Sequence, residues 1–125
     1  MGEIDDLMSA AKDALEAARL LMDRGFHPDA VSRAYYAMLY AARAALASRG
    51  IPAKTHGGTL QRFGETFVRT GIITADLAKG FAKALEIRER ADYSVAVRPG
   101  PEEAEAVLRD ADRFLAAIRH LLAPE

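Results

Sequence analysis

From the N-terminus the apolar residues fall at Ile4, Leu7, Met8, Ala11, Leu15, Ala18 and Met22, with charged residues between them. That spacing follows the period of a helix with one buried stripe, not the two-residue period of a strand. Gly25 supplies a residue tolerant of positive φ just past the predicted end. Pro28 suits the first turn of a second helix, where its missing N–H leaves nothing unsatisfied. This second helix runs to about Ser48, and Gly50-Ile51-Pro52 stops it. A third, over roughly residues 58–69, groups Leu60, Phe63, Phe67 and Val68, and Gly71 closes it. Thr74 is the expected N-cap of a fourth, its hydroxyl accepting an otherwise orphaned N–H. The fifth follows Arg98-Pro99-Gly100-Pro101 and places Glu102, Glu103 and Glu105 near its positive end. Its stripe is Ala104, Val107, Leu108, Ala111, Leu115, Ile118 and Leu122. The connections are short, which favours antiparallel neighbours. The predicted fold is all-α: a single domain over residues 1–125, built as an up-and-down bundle of five helices.

The second helix departs from the usual pattern. Val31, Ala34, Tyr35, Met38, Ala42, Ala45 and Leu46 share one face. The opposite face carries Tyr36, Ala37, Tyr40, Ala44 and Ala47, with Arg33 and Arg43 as its charges. A helix apolar most of the way round is buried on two sides. The second cover is either the remaining helices or another subunit.

Composition narrows the classes of function. Half of the 125 residues are hydrophobic, enough for one core. The net charge of -1 gives no global field to recruit nucleic acid or membrane, although residues 51–100 sum to +3. No cysteine is present, which fits a reducing compartment. The opening MGEIDDLMSA has neither the basic nor the apolar region of a signal peptide, and no apolar run reaches the roughly 20 residues that span a bilayer. A cytoplasmic protein without membrane contact is the expectation.

The fourth helix holds the most suggestive chemistry. With Leu77 at zero and about 100° per residue, Phe81 lies near 40°, Ala84 near -20° and Leu85 near 80°. Arg88 falls near 20° and Asp92 near 60°, both on the apolar stripe, whereas Tyr93 lies near 160° and turns away. A charge on a buried stripe is costly unless paired, and an Arg and an Asp four apart supply that pairing. Two readings stay open: a structural ion pair, or a cleft in which Arg88 offers its fork of donors to a phosphate.

Elsewhere, Lys54-Thr55-His56-Gly57-Gly58 is a basic, glycine-containing loop before a helix, where free N–H groups attract an anion. Its spacing is not that of a P-loop. A histidine in such a place is more often a loop or capping residue. The three histidines are scattered and no His-x3-His pair occurs, so no metal or other cofactor is expected. Tyr35, Tyr36 and Tyr40 suit core or interface packing as well as base stacking. Glu102, Glu103 and Asp110 read as a solvated helix face.

Arg88-x-x-Ala91-Asp92-Tyr93 resembles the motif of the small stand-alone prokaryotic branch of the HEPN (higher eukaryotes and prokaryotes nucleotide-binding) family. The likeness extends to the run Ser32 to Met38, to Lys54-Thr55-His56-Gly57 and to the run Phe67 to Gly71. Downstream it includes Glu103-Ala104, Asp110-Ala111 and Phe114, so it covers nearly the whole chain in order. The resemblance implies a helical bundle that forms homodimers and partners a minimal nucleotidyltransferase, in a toxin–antitoxin-like pair. It also implies a groove for nucleotide or RNA phosphate, for which Arg88, Asp92, Tyr93, Arg33, Tyr36, Lys54 and His56 are the candidate residues. Some members are metal-independent RNases with an Arg-x4–6-His motif. Here the corresponding positions are Tyr93, Ser94 and Val95, so no catalytic residue is assigned and a non-catalytic or regulatory role leads. A degenerate RNase using Tyr93 or His56, and a purely structural dimer, are the competing readings. In paired systems a tyrosine near the motif is adenylylated, and Tyr93 is the nearest equivalent.

Overall fold

A computed structural model describes residues 2–124, and among them only helices and turns occur. The five main helices are α1 (Glu3–Asp23), α2 (His27–Ala47), α3 (His56–Phe63), α4 (Ala75–Tyr93) and α5 (Pro101–Leu122). The predicted all-α bundle of five helices is what forms.

The ends follow local chemistry. After α1, the N–H of Gly25, at φ 84°, reaches Met22 O at 3.1 Å, and the N–H of Phe26 reaches Leu21 O at 2.9 Å. This pair of bonds satisfies two orphaned carbonyls, and the glycine makes it cheap. Thr55 Oγ1 accepts from the Gly58 N–H at 2.9 Å and caps α3. A Cβ at Gly58 would stand 2.6 Å from that same oxygen, so the cap requires the glycine. Helix α3 therefore begins two residues before the expected 58, with both glycines inside its first turn. It also ends sooner: Gly64–Val68 follow as a five-residue π-helical turn instead of a continuation to 69. Thr74 occupies the N-cap of α4 as anticipated, but its side chain makes no capping bond.

Helix α2 is the centre of the bundle and packs on α1, α3, α4 and α5. Both of its faces are covered: Ala34, Tyr35, Met38 and Leu46 on one side, Ala37 and Ala44 on the other, are all buried. Alanine at so many of these positions lets neighbouring backbones come close. Between α4 and α5 the same end is served by Gly80, where a Cβ would lie 3.0 Å from Asp110 Cγ. Tyr36 and Tyr40 are the half-buried remainder of the second face.

The core is closed by four rings. Phe63 lies with its centroid 5.2 Å from both Phe67 and Phe114, and Phe114 lies 5.2 Å from Phe81. Tyr35 then stacks on Phe81 at 5.9 Å, carrying the aromatic cluster outward from the core along α2. Ion pairs tie the helices at their rims. Arg19 of α1 meets Asp112 of α5, and Arg113 of α5 meets Asp76 of α4 at 2.7 Å. Arg90 of α4 donates to Glu103 of α5, also at 2.7 Å. Glu103 is thus a link between helices, not part of a solvated face as its place in the acidic run suggested.

Phe114→Ala removes a ring that touches two others in a fully packed setting. We expect it to cost about 3–5 kcal/mol. In urea titration the midpoint should fall while the slope stays unchanged.

Candidate phosphate-binding site

The register of α4 on α2 puts Arg88 where it is. Phe81 stacks on Tyr35, and Arg88, two turns further along the same face of α4, reaches over the rings that follow. Its guanidinium carbon sits 5.5 Å from the Tyr35 centroid and 5.0 Å from that of Tyr36. These are distances at which a cation is held by ring faces. Arg33 lies at 5.6 Å from the Tyr36 ring as well, so two cations approach Tyr36. Tyr36 and Tyr40 continue the aromatic row along α2 at 6.1 Å.

The pairing with Asp92 is weaker than the wheel suggested. Arg88 Nε and Asp92 Oδ2 are 3.7 Å apart, and Nε is buried with no hydrogen-bond partner. The Arg88 side chain is 21% exposed, but that of Asp92 is 66% exposed. Asp92 is therefore not on the buried face. A helical wheel gives a direction, and at the last turn of α4 that direction meets solvent. An exposed pair of this kind contributes about 0.3–0.5 kcal/mol, against up to about 2 kcal/mol for a partly desolvated cation on an aromatic face. The two tyrosines, more than the aspartate, hold Arg88. Tyr93, at 93% exposure, faces solvent as expected and stands apart from the cluster.

His56 joins Arg88 at the same two rings. The imidazole centroid is 5.5 Å from Tyr35 and 5.7 Å from Tyr36. It arrives there as the first residue of α3, seated by the Thr55–Gly58 cap. Burial lowers its proton affinity, and the charges of Arg88 and then Arg43 lower it further, Glu89 opposing them. At neutral pH it is the uncharged imidazole, able to accept a proton. Tyr35 is fully buried, its hydroxyl has no partner, and burial pushes its pKa up to about 12, so it stays protonated.

Arg43 borders the cluster from α2. Its Nε donates to Thr59 Oγ1 at 3.4 Å and its Nη2 to the Lys54 carbonyl at 3.3 Å. Thr59 is buried and donates in turn to the Thr55 carbonyl at 2.7 Å. Lys54 itself is exposed, beside the cluster and not within it. Of the residues singled out by sequence, Arg88, Tyr36, Arg33 and His56 come together, Asp92 touches them only through its long pair with Arg88, and Tyr93 stands apart. Tyr35 and Arg43 are the additions. Both stood on the two faces of the unusual second helix, a signal that marked burial but not chemistry. Among the described residues no three His, Asp or Glu side chains converge in a way that would hold a metal ion.

The lowered proton affinity of His56 has a consequence for stability. Below its ordinary value of 6.5 the unfolded chain binds this proton more readily than the folded one. Stability from this group is therefore present above that pH and is lost as the pH falls below it through the lowered value of the folded state. Comparing urea midpoints at pH 7.5 and 5.5, we expect wild type to lose more than His56→Gln. Equal losses would contradict the burial of a neutral imidazole.

Comparison with known proteins bears on the family and the fold. The HEPN domain profile matches residues 4–121. A candidate toxin of Methanocaldococcus jannaschii is 35% identical over 120 residues, covering 96% of this chain and 89% of the relative. A UPF0332 protein of Gloeobacter violaceus is 33% identical, with 97% of both chains covered. A UPF0332 protein of Thermotoga maritima is 34% identical, over 90% of this chain and 85% of its own. The crystal structure of a Thermus thermophilus protein superposes with a TM-score of 0.81 at 23% identity, covering 98% of this chain and all of that one, a likeness of fold. With its profile spanning nearly every described residue and its five-helix bundle in place, the chain belongs to the HEPN domain family.

Proposed function

We propose that this chain is a non-catalytic HEPN module that receives a nucleotide or RNA phosphate at Arg88 and acts as the homodimeric partner of a minimal nucleotidyltransferase. The observation that carries the reading is the state of Arg88. Its guanidinium lies on two tyrosine rings, its Nε has no hydrogen-bond partner, and the nearby Asp92 carboxylate is exposed and 3.7 Å away. A phosphate oxygen would satisfy such a fork better than that carboxylate does. Arg33, Tyr36 and His56 complete the polar and aromatic surroundings. Tyr93, with its ring free in solvent, suits covalent modification by a partner transferase better than ligand binding.

A second reading is favoured by one feature, the neutral imidazole of His56 beside Arg88. In it, His56 takes the proton of an RNA 2′-hydroxyl as the oxygen attacks the adjacent phosphorus. Arg88 balances the charge on the phosphoryl oxygens, the P–O5′ bond breaks to leave a 2′,3′-cyclic phosphate, and the departing 5′-oxygen takes a proton from solvent water. The histidine absent from positions 93–95 would thus be supplied from α3. The naming of the Methanocaldococcus relative as a candidate toxin is consistent with this chemistry without assigning it here.

One set of measurements separates the readings. Metal-free protein is incubated with total RNA, and its thermal unfolding is followed with and without nucleotides. Co-expression with the neighbouring genes tests for a copurifying transferase. We expect a rise in melting temperature with nucleotide, absent in Arg88→Ala, without RNA cleavage. Cleavage lost in both Arg88→Ala and His56→Ala would establish the enzymatic reading. No thermal shift, no cleavage and no copurifying transferase would overturn both.

A further inference from the structure

Arg43 stands between the Arg88 cluster and a second hollow, and we infer that this hollow takes the adjoining nucleotide of a single-stranded oligonucleotide. The inference rests on the reading of Arg88 as a phosphate site and extends it from a mononucleotide to a chain. The hollow has a volume of about 630 Å³ and lies where the start of α1, the end of α2 and the loop before α3 meet. That is room for one nucleotide, within the roughly 300–1,000 Å³ usual for ligand sites. Leu7, Ile51 and Ala53 give it apolar walls, against which a base or ribose packs. Arg43 and Lys54 give it two cations, and Glu3 one anion.

Three features connect the hollow to the Arg88 cluster. Arg43 lines the hollow while its charge is felt by both His56 and Tyr35 on the other side. Its guanidinium is held at that boundary by Thr59 Oγ1 and the Lys54 carbonyl, which leaves further donors of its fork uncommitted. Lys54 and His56 are separated by Thr55 alone, so their backbones lie at most ~7 Å apart, a span that a single nucleotide bridges. A phosphate at Arg88 and His56 thus has a neighbouring site for the next phosphate at Arg43 and Lys54. Glu3 works against an anion there, so the site should improve when that charge is removed.

Binding of 5′-UMP is compared with binding of 2′-O-methyl di- and tetrauridylate, which cannot be cleaved at the 2′-oxygen, using calorimetry on the full chain. We expect the tetranucleotide to bind at least tenfold more tightly than UMP. Its logarithmic salt dependence should be steeper by about 0.7 for each added phosphate contact. Lys54→Ala, at an exposed position, should bring the ratio of the two affinities close to one, and Glu3→Gln should raise it; circular dichroism confirms that both variants fold. An oligonucleotide that binds no better than UMP, or that keeps its advantage in Lys54→Ala, overturns the inference while UMP binding still upholds the Arg88 site. If neither UMP nor the oligonucleotides bind, both readings fall together.

Discussion

Helix α2 has almost no face to give to water, and the rest of the bundle is arranged to satisfy that. Twelve of its 21 residues are buried, most of them alanine. Small side chains on every side allow α1, α3, α4 and α5 all to lie against it. Without them, the aromatic residues between the helices would not fit at this density. The aromatic residues that α2 carries, Tyr35, Tyr36 and Tyr40, form one chain of ring contacts that begins on the phenylalanine core and runs to half-buried positions. Phe81 and Arg88 of α4 and His56 of α3 all meet the tyrosine rings of α2.

This explains why a charge lies on an otherwise apolar stripe. Arg88 does not depend on a buried carboxylate, because the ring faces of Tyr35 and Tyr36 take its charge, and its head keeps part of its contact with solvent. The same rings receive His56, whose neutrality follows from burial and from the two arginines around it. A neutral acceptor beside a fixed cation, on an aromatic floor, is an arrangement suited to a phosphate and its attached base. The helix cap at Thr55 and Gly58 belongs to this arrangement as much as Arg88 does, since it sets where His56 enters.

Much of this was legible in the sequence, for physical reasons that also mark where legibility ended. Helical stripes and glycine stops are local, so the five helices and the turn at Gly25 could be read directly, as could the double burial of α2. The wheel of α4 found Arg88 correctly because Phe81 and Ala84 on its face are buried, and it misplaced Asp92 because a wheel carries no information about where the neighbouring helices end. The N-cap position of Thr74 was legible but not its missing side-chain bond, and the cap at Thr55 went unread because it works through a glycine whose lack of Cβ matters only once the turn is formed. Least legible was the meeting of His56 with Arg88. His56 stood among the candidates, but its place beside Arg88 could not be read, because the two lie on different helices. Only the packing of α3 and α4 on the same tyrosines brings the two together.

The most direct test is nuclear magnetic resonance of the Arg88 Nε–H and the His56 ring during titration with 5′-UMP in metal-free buffer. The expected result is a concerted, saturable shift of both signals, with the exposed Asp92 carboxylate little affected. Shifts confined to other arginines, with Arg88 and His56 unmoved at saturation, would contradict the assignment of this cluster as the phosphate site.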